Sequence, residues 1–183
     1  MSANIGTKRV DWSKYGVVYG TMHKNLGTVG ATIVIVRKDL IKEETVMSHV
    51  PRMANWSSFY NSANKIYNVP TIWSIWMHQL TTEYMLEKGG IDYFEERANR
   101  RSKMFYDYID NSDGYYSTFV KDESFRSRMN VCFRIKNDDK VLTDKFISEA
   151  EQLGWIDIRG HPMTTKNFDD FSSNSLRVTM YSP

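Results

Sequence analysis

Lys24 is the side chain with the clearest capacity for chemistry. It lies within Tyr15 to Arg37, YGVVYGTMHKNLGTVGATIVIVR, between two apolar runs, Val17-Val18-Tyr19 and Thr32-Ile33-Val34-Ile35-Val36. Both runs are short, β-branched and bounded by glycine, which predicts buried strands. The loop between them, punctuated by Gly20, Gly27 and Gly30, can turn tightly and let a ligand come close to the backbone. A lysine held beside a sheet can lose part of its hydration, which lowers its pKa and frees its amine to attack a carbonyl. A Schiff-base lysine needs those properties. On spacing alone, the ordinary reading is a solvated lysine in a hairpin turn.

The order of residues is more specific than the spacing. Gly20, Lys24, Asn25, Gly27 and Gly30, followed by Val36, Arg37, Asp39 and Leu40, resemble the cofactor-lysine segment of phosphoserine aminotransferases. A second ordered match is Arg126-Ser127, Met129-Asn130 and Phe133. The resemblance implies a fold-type I enzyme dependent on pyridoxal 5'-phosphate (PLP). Such an enzyme moves an amino group between glutamate and 3-phosphohydroxypyruvate, giving O-phospho-L-serine and 2-oxoglutarate in serine biosynthesis. It also implies that the Lys24 amine joins PLP as an imine and then carries the proton of the substrate α-carbon.

Further site residues follow from the same resemblance. His23 stands where the family has Gln, a ligand of the PLP phosphate; a surface histidine in a loop is the equal alternative. Tyr67-Asn68-Val69-Pro70 stands where the family has Tyr-Asn-Thr-Pro, whose Asn and Thr bind the PLP phosphate of the partner subunit. Asn68 keeps its amide donor, whereas Val69 lacks the hydroxyl. Asn68-x-Pro70 is also an ordinary helix start, and a helix N-terminus suits a phosphate. Gly160-His161 matches a Gly-His-Arg that grips the substrate phosphate, with Pro162 in place of the charge-assisted contact. Arg177, in Leu176-Arg177-Val178-Thr179-Met180-Tyr181, matches the arginine that clamps the substrate carboxylate; an edge-strand surface arginine is the alternative.

Ser2-Ala3-Asn4 resembles the end of a family motif whose acid pairs with the pyridine nitrogen of PLP. That acid would precede Met1, so the chain is expected to be roughly the C-terminal half of such an enzyme. The expected fold is α/β: residues 1–89 a remnant of the PLP-binding large domain, and 90–183 a connecting helix with a small α+β domain. The expected partner is a second copy or a full-length subunit. A non-catalytic remnant that only dimerises is the alternative function. A third reading, a same-fold aminotransferase of a substrate without phosphate, would fit Pro162. Uncovered strand edges predict poor solubility as a monomer.

The elements that must position these residues can be read by periodicity. A short helix is expected over 38–48 with Pro51 ending it, and a loop over 52–67. A helix over 70–88 is closed by Gly89-Gly90, with Ile72, Trp76, Leu80 and Tyr84 on one face as core or dimer packing. A second helix over 92–110 has an Asp92/Glu95 capping box and a seam of Phe94, Ala98, Phe105 and Ile109. Strands are expected over 115–120, 129–135, 155–158 and 176–181, and a helix over 140–153 with Leu142, Phe146, Ala150 and Leu153 inward.

Composition excludes other classes. The chain has 183 residues, 41% hydrophobic and 14% aromatic, enough for a core. A net charge of +2 gives no reason to expect a nucleic-acid partner, and Arg97, Arg100, Arg101 and Lys103 read as a solvated helix face. The single Cys132 fits a reducing, cytoplasmic setting and a small buried filler. No apolar run reaches transmembrane length, and the four histidines, His23, His49, His78 and His161, lack metal-site spacing.

Overall fold

The computed structural model describes residues 1–42, 47–63, 66–159 and 174–181. The chain divides into two units, Met1–Phe94 and Glu95–Tyr181.

In the first unit β1 (Val17–Thr21) and β2 (Thr32–Val36) pair antiparallel, with Val17 opposite Val36 and Thr21 opposite Thr32. Ile5, Met22, Leu26, Met85 and Phe94 form the core beneath them. The buried-strand expectation fails for β2: Val34 and Ile35 are exposed on opposite faces. β-Branched alternation records what a strand is built to pack against, and the described residues supply only one neighbouring strand. Lys38–Leu40 is a single 3-10 turn, and residues 43–46 of the expected helix lie outside the described residues.

The loop expected over 52–67 contains a 3-10 turn, Arg52–Ala54, and a short helix, α1 (Trp56–Tyr60). The missed signal is Asn55, whose side-chain oxygen accepts from the Ser57 N–H at 3.0 Å as an N-cap. Helix α2 (Ile72–Glu87) forms as expected, but its aromatic stripe is not core. Ile72, Trp76, Leu80 and Tyr84 are exposed, while Ser74 and Met85 are buried. The helix is apolar around most of its circumference, so periodicity could not say which face turns inward. Helix α3 (Gly90–Asp110) begins earlier than expected, placing Asp92 inside its first turn. Asp92 is therefore not a cap; its two oxygens accept from Arg9 Nε and an Arg9 terminal nitrogen at 2.7 and 2.6 Å.

In the second unit β3 (Tyr116–Thr118), β4 (Asn130–Ile135) and β5 (Leu176–Thr179) form an antiparallel sheet in the order β3-β4-β5. One face packs on α3 and on α4 (Lys140–Gln152) through Tyr106, Ile109, Val131, Phe133, Ile135, Ile147 and Leu176. Full burial of each aliphatic residue contributes about 1.5–3 kcal/mol. The seam expected along α3 holds for Phe94, Ala98 and Ile109, which are buried.

Asp139 caps α4, accepting from the Leu142 N–H at 3.0 Å. Gly154, at φ +87°, closes it: the Trp155 N–H reaches the Ala150 carbonyl and the Gly154 N–H that of Glu151. That closure leaves Leu153 exposed, contrary to expectation, and Ile147 takes the inward position. Trp155–Ile158 is not a strand; only Arg159 bridges to Leu176, and Trp155 and Ile156 stay exposed. Among the described residues no helix is long and apolar enough to cross a membrane, and no group of His, Cys, Asp and Glu could hold a metal ion.

Candidate active site

Lys24 sits at the centre of a helical turn between β1 and β2. The Leu26 N–H donates to the Met22 carbonyl at 3.0 Å, and the Met22 N–H to the Ala31 carbonyl at 3.2 Å. Helical spacing sorts the side chains of this turn. Met22, Asn25 and Leu26 are buried; His23 is left exposed and Lys24 half-buried. Two adjacent residues with nitrogen heads are thus presented by a turn whose other side chains are anchored.

The anchor is unusually complete. Asn25 is fully buried, and its Nδ2 donates to the carbonyls of Ala3 and Ile5, each at 3.1 Å. The Thr21 N–H donates to Ser2 Oγ at 3.0 Å, tying the strand entering the turn to the same N-terminal segment. Helix α2 supports the other side. His78 Nδ1 lies 2.8 Å from the Leu26 carbonyl, so this nitrogen carries the proton and donates. Ser74 Oγ donates to the Val29 carbonyl at 2.8 Å.

Two glycines make this approach possible. A Cβ on Gly27, whose φ is +145°, would lie 3.3 Å from the His78 backbone; one on Gly30, at φ +105°, would lie 2.7 Å from Ser74 Oγ. Neither Asn25 nor His78 was assigned a role from sequence. Asn25 stood in the matching motif; for His78, only its helical placement beside a glycine-rich loop could have signalled one.

Asn68 and Val69 lie in the same unit, just before α2, and both are exposed. Thr71, at the head of α2, makes no side-chain cap. Arg177 belongs to the second unit, on β5, half-buried opposite Cys132 on β4. Burial pushes the Cys132 thiol above its ordinary pKa, and the Arg177 charge opposes that rise. His161 lies outside the described residues. So the structure sets His23 and Lys24 side by side, with Asn68 and Val69 in their unit and Arg177 in the other.

The model of the class-V aminotransferases matches residues 1–151. The chain belongs to this family. Similar curated proteins are the phosphoserine aminotransferases of Bacillus subtilis, 35% identical, and of Lysinibacillus sphaericus, 37% identical. Each alignment takes in 161 residues, 88% of this chain and 43% of the relative. The chain therefore spans less than half the length of these relatives. Among solved structures, a phosphoserine aminotransferase from Bacillus circulans subsp. alkalophilus matches with a TM-score of 0.84 at 31% identity, over 99% of this chain and 46% of that one. A PLP-bound phosphoserine aminotransferase from Trichomonas vaginalis matches with a TM-score of 0.80 at 26% identity, over 99% and 48%. The α/β architecture is that of a fold-type I aminotransferase, in about its C-terminal portion.

Proposed function

We propose that the chain is the lysine-bearing portion of a cytoplasmic PLP-dependent phosphoserine aminotransferase. It would act between glutamate and 3-phosphohydroxypyruvate, with O-phospho-L-serine and 2-oxoglutarate as products. The observation that carries this reading is the Met22–Leu26 turn, which anchors three side chains inward and presents the Lys24 amine half-buried beside His23. Family membership and the similarity to phosphoserine aminotransferases support it. The donor set fits the cofactor: an amine for the aldehyde, and imidazole and amide N–H groups for a phosphate. His23 and Asn68 would hold that phosphate, while Val69 brings no hydroxyl to it.

When bound, the cofactor supplies an electron sink for the carbanion formed at the substrate α-carbon. The chain's own work is positioning and proton transfer. Lys24 Nζ accepts the proton from the α-carbon as a general base, which the fixed turn holds within reach. The Arg177 guanidinium binds the substrate carboxylate through a two-pronged, charge-assisted contact. His161 would meet the substrate phosphate.

Incubation with PLP, borohydride reduction and peptide mass spectrometry test the reading. A pyridoxyl mass on the Lys24 peptide, lost in Lys24→Ala, is expected from the chain alone or beside a full-length subunit. Its absence in both settings would sink the proposal. A second reading, a non-catalytic module that only dimerises, draws on the exposed Ile72, Trp73 and Trp76 of α2 and on Val69. A dimer by sedimentation together with no adduct would favour it.

A further inference from the structure

The far end of the Lys24 turn has no steric constraint of its own. The Leu26 N–H donates to the Met22 carbonyl at 3.0 Å and closes one helical turn around Lys24. A helical turn leaves the carbonyls at its C-terminal end without partners inside it. The next residue, Gly27, has φ +145° and no Cβ, so side-chain sterics do not fix the Leu26–Gly27 peptide plane. If that plane tilts, the turn that carries Lys24 tilts with it.

Helix α2 supplies the missing constraint. His78 Nδ1 lies 2.8 Å from the Leu26 carbonyl and donates to it. A side-chain donor on the last carbonyl of a helical turn acts as a C-cap. The His78 side chain comes from a half-buried position, and its backbone lies directly under Gly27, where an added Cβ would be 3.3 Å from it. One turn earlier on the same face of α2, Ser74 Oγ donates to the Val29 carbonyl at 2.8 Å. The two contacts hold different things. Ser74 fixes the loop on its way to β2, beyond Gly27, whereas His78 grips the turn itself, two residues from Lys24.

We propose that His78 is a positioning residue for Lys24: by holding the Leu26 carbonyl it sets the direction from which the Lys24 amine meets the cofactor aldehyde. The inference rests on the aminotransferase reading and adds a residue that touches neither cofactor nor substrate. Asn25 anchors the inward side of the turn, and His78 fixes its end.

The test compares two aldehydes on the full chain, alone and beside a full-length subunit. In each reaction the amine nitrogen adds to the aldehyde carbon, water leaves, and hydride from a borohydride reagent reduces the C=N bond to a stable amine. PLP must fit its surroundings to react well at one lysine; formaldehyde reaches an amine from any side. His78→Leu keeps a good helix former and removes the donor. It is expected to lower the pyridoxyl yield on Lys24 about tenfold, the range of a lost hydrogen bond to a buried carbonyl, relative to the exposed Lys103 in the same digest. Methylation of Lys24 by formaldehyde should not fall. His78→Asn carries an N–H the same number of bonds from Cα as His Nδ1, and should recover much of the pyridoxyl yield. Ser74→Ala, which loosens the loop beyond Gly27, should cost far less than His78→Leu.

A His78→Leu variant that labels with PLP like wild type overturns the proposal. So does a parallel fall in both labels, failure of His78→Asn to recover any yield, or a Ser74→Ala loss as large as that of His78→Leu. A wild type with no Lys24 adduct in either setting overturns the aminotransferase reading and this inference together; an adduct indifferent to His78 overturns this inference alone.

Discussion

At the residue scale, the lysine turn is defined by what its neighbours bury. Asn25 spends both amide hydrogens on the backbone carbonyls of Ala3 and Ile5, so the residue beside Lys24 cannot rotate away without leaving both acceptors unmet. Such a position accepts no isostere that loses the donors, and Asn25→Asp would set a carboxylate against two carbonyl oxygens. In the second unit, the Cys132–Arg177 pair gives a pH-dependent handle. Burial raises the thiol pKa, so less thiolate is present at a given pH and alkylation should be slow until the pH passes above the ordinary thiol range. Arg177→Gln removes the opposing charge and should shift the alkylation profile to still higher pH. The rate of iodoacetamide labelling against pH measures both, and a profile unchanged by the substitution would place the arginine away from the thiol.

At the element scale, α4 shows how local signals set an element's ends. Asp139 satisfies an orphan N–H at its start, and Gly154 takes the left-handed conformation that ends it. Asp139→Ala is expected to cost about 1 kcal/mol, lowering the melting temperature by about 2–4 °C in a scanning calorimeter. The alternation in β4 was legible because buried and half-buried residues follow one another without exception from Asn130 to Ile135. The Trp155–Ile158 run was misread because Trp155 and Ile156 are exposed β-formers, while contact with β5 is confined to the end of the run, where the Ile158 carbonyl accepts from the Arg177 N–H and Arg159 bridges to Leu176. Helix α1 was hidden because its signal is one capping asparagine amid Ser and aromatic residues, with no apolar period behind it. Of the site, Lys24 and its loop were visible through the order of glycines. The supports from Asn25 and His78 were not, since each depends on contacts across 20 residues or more of chain.

At the scale of the whole molecule, the residues that read as interior from sequence outnumber the interior the described chain can offer. Trp73 and Trp76 stand on the exposed side of α2, and Val34 with Lys38, Met53 and Trp56 lines an open groove of about 730 Å³. Exposed apolar area of this kind promotes association. Trp73→Lys with Trp76→Lys should lower the binding of a hydrophobic dye and the fraction sedimenting as aggregate. Because both side chains are exposed, each substitution should change stability by no more than about 0.5 kcal/mol. Dye fluorescence and velocity sedimentation read the first two effects; a strong fall in melting temperature would instead place these tryptophans in a hidden core.

The Asn25 contacts carry a consequence for motion. Residues 3–5 and the Met22–Leu26 turn share buried hydrogen bonds, and neither can open while the other stays closed. Opening of residues 3–5 would here unlatch the segment that carries the Lys24 amine. Order in residues 3–5 is thereby linked to the placement of a side chain some twenty positions along the polypeptide.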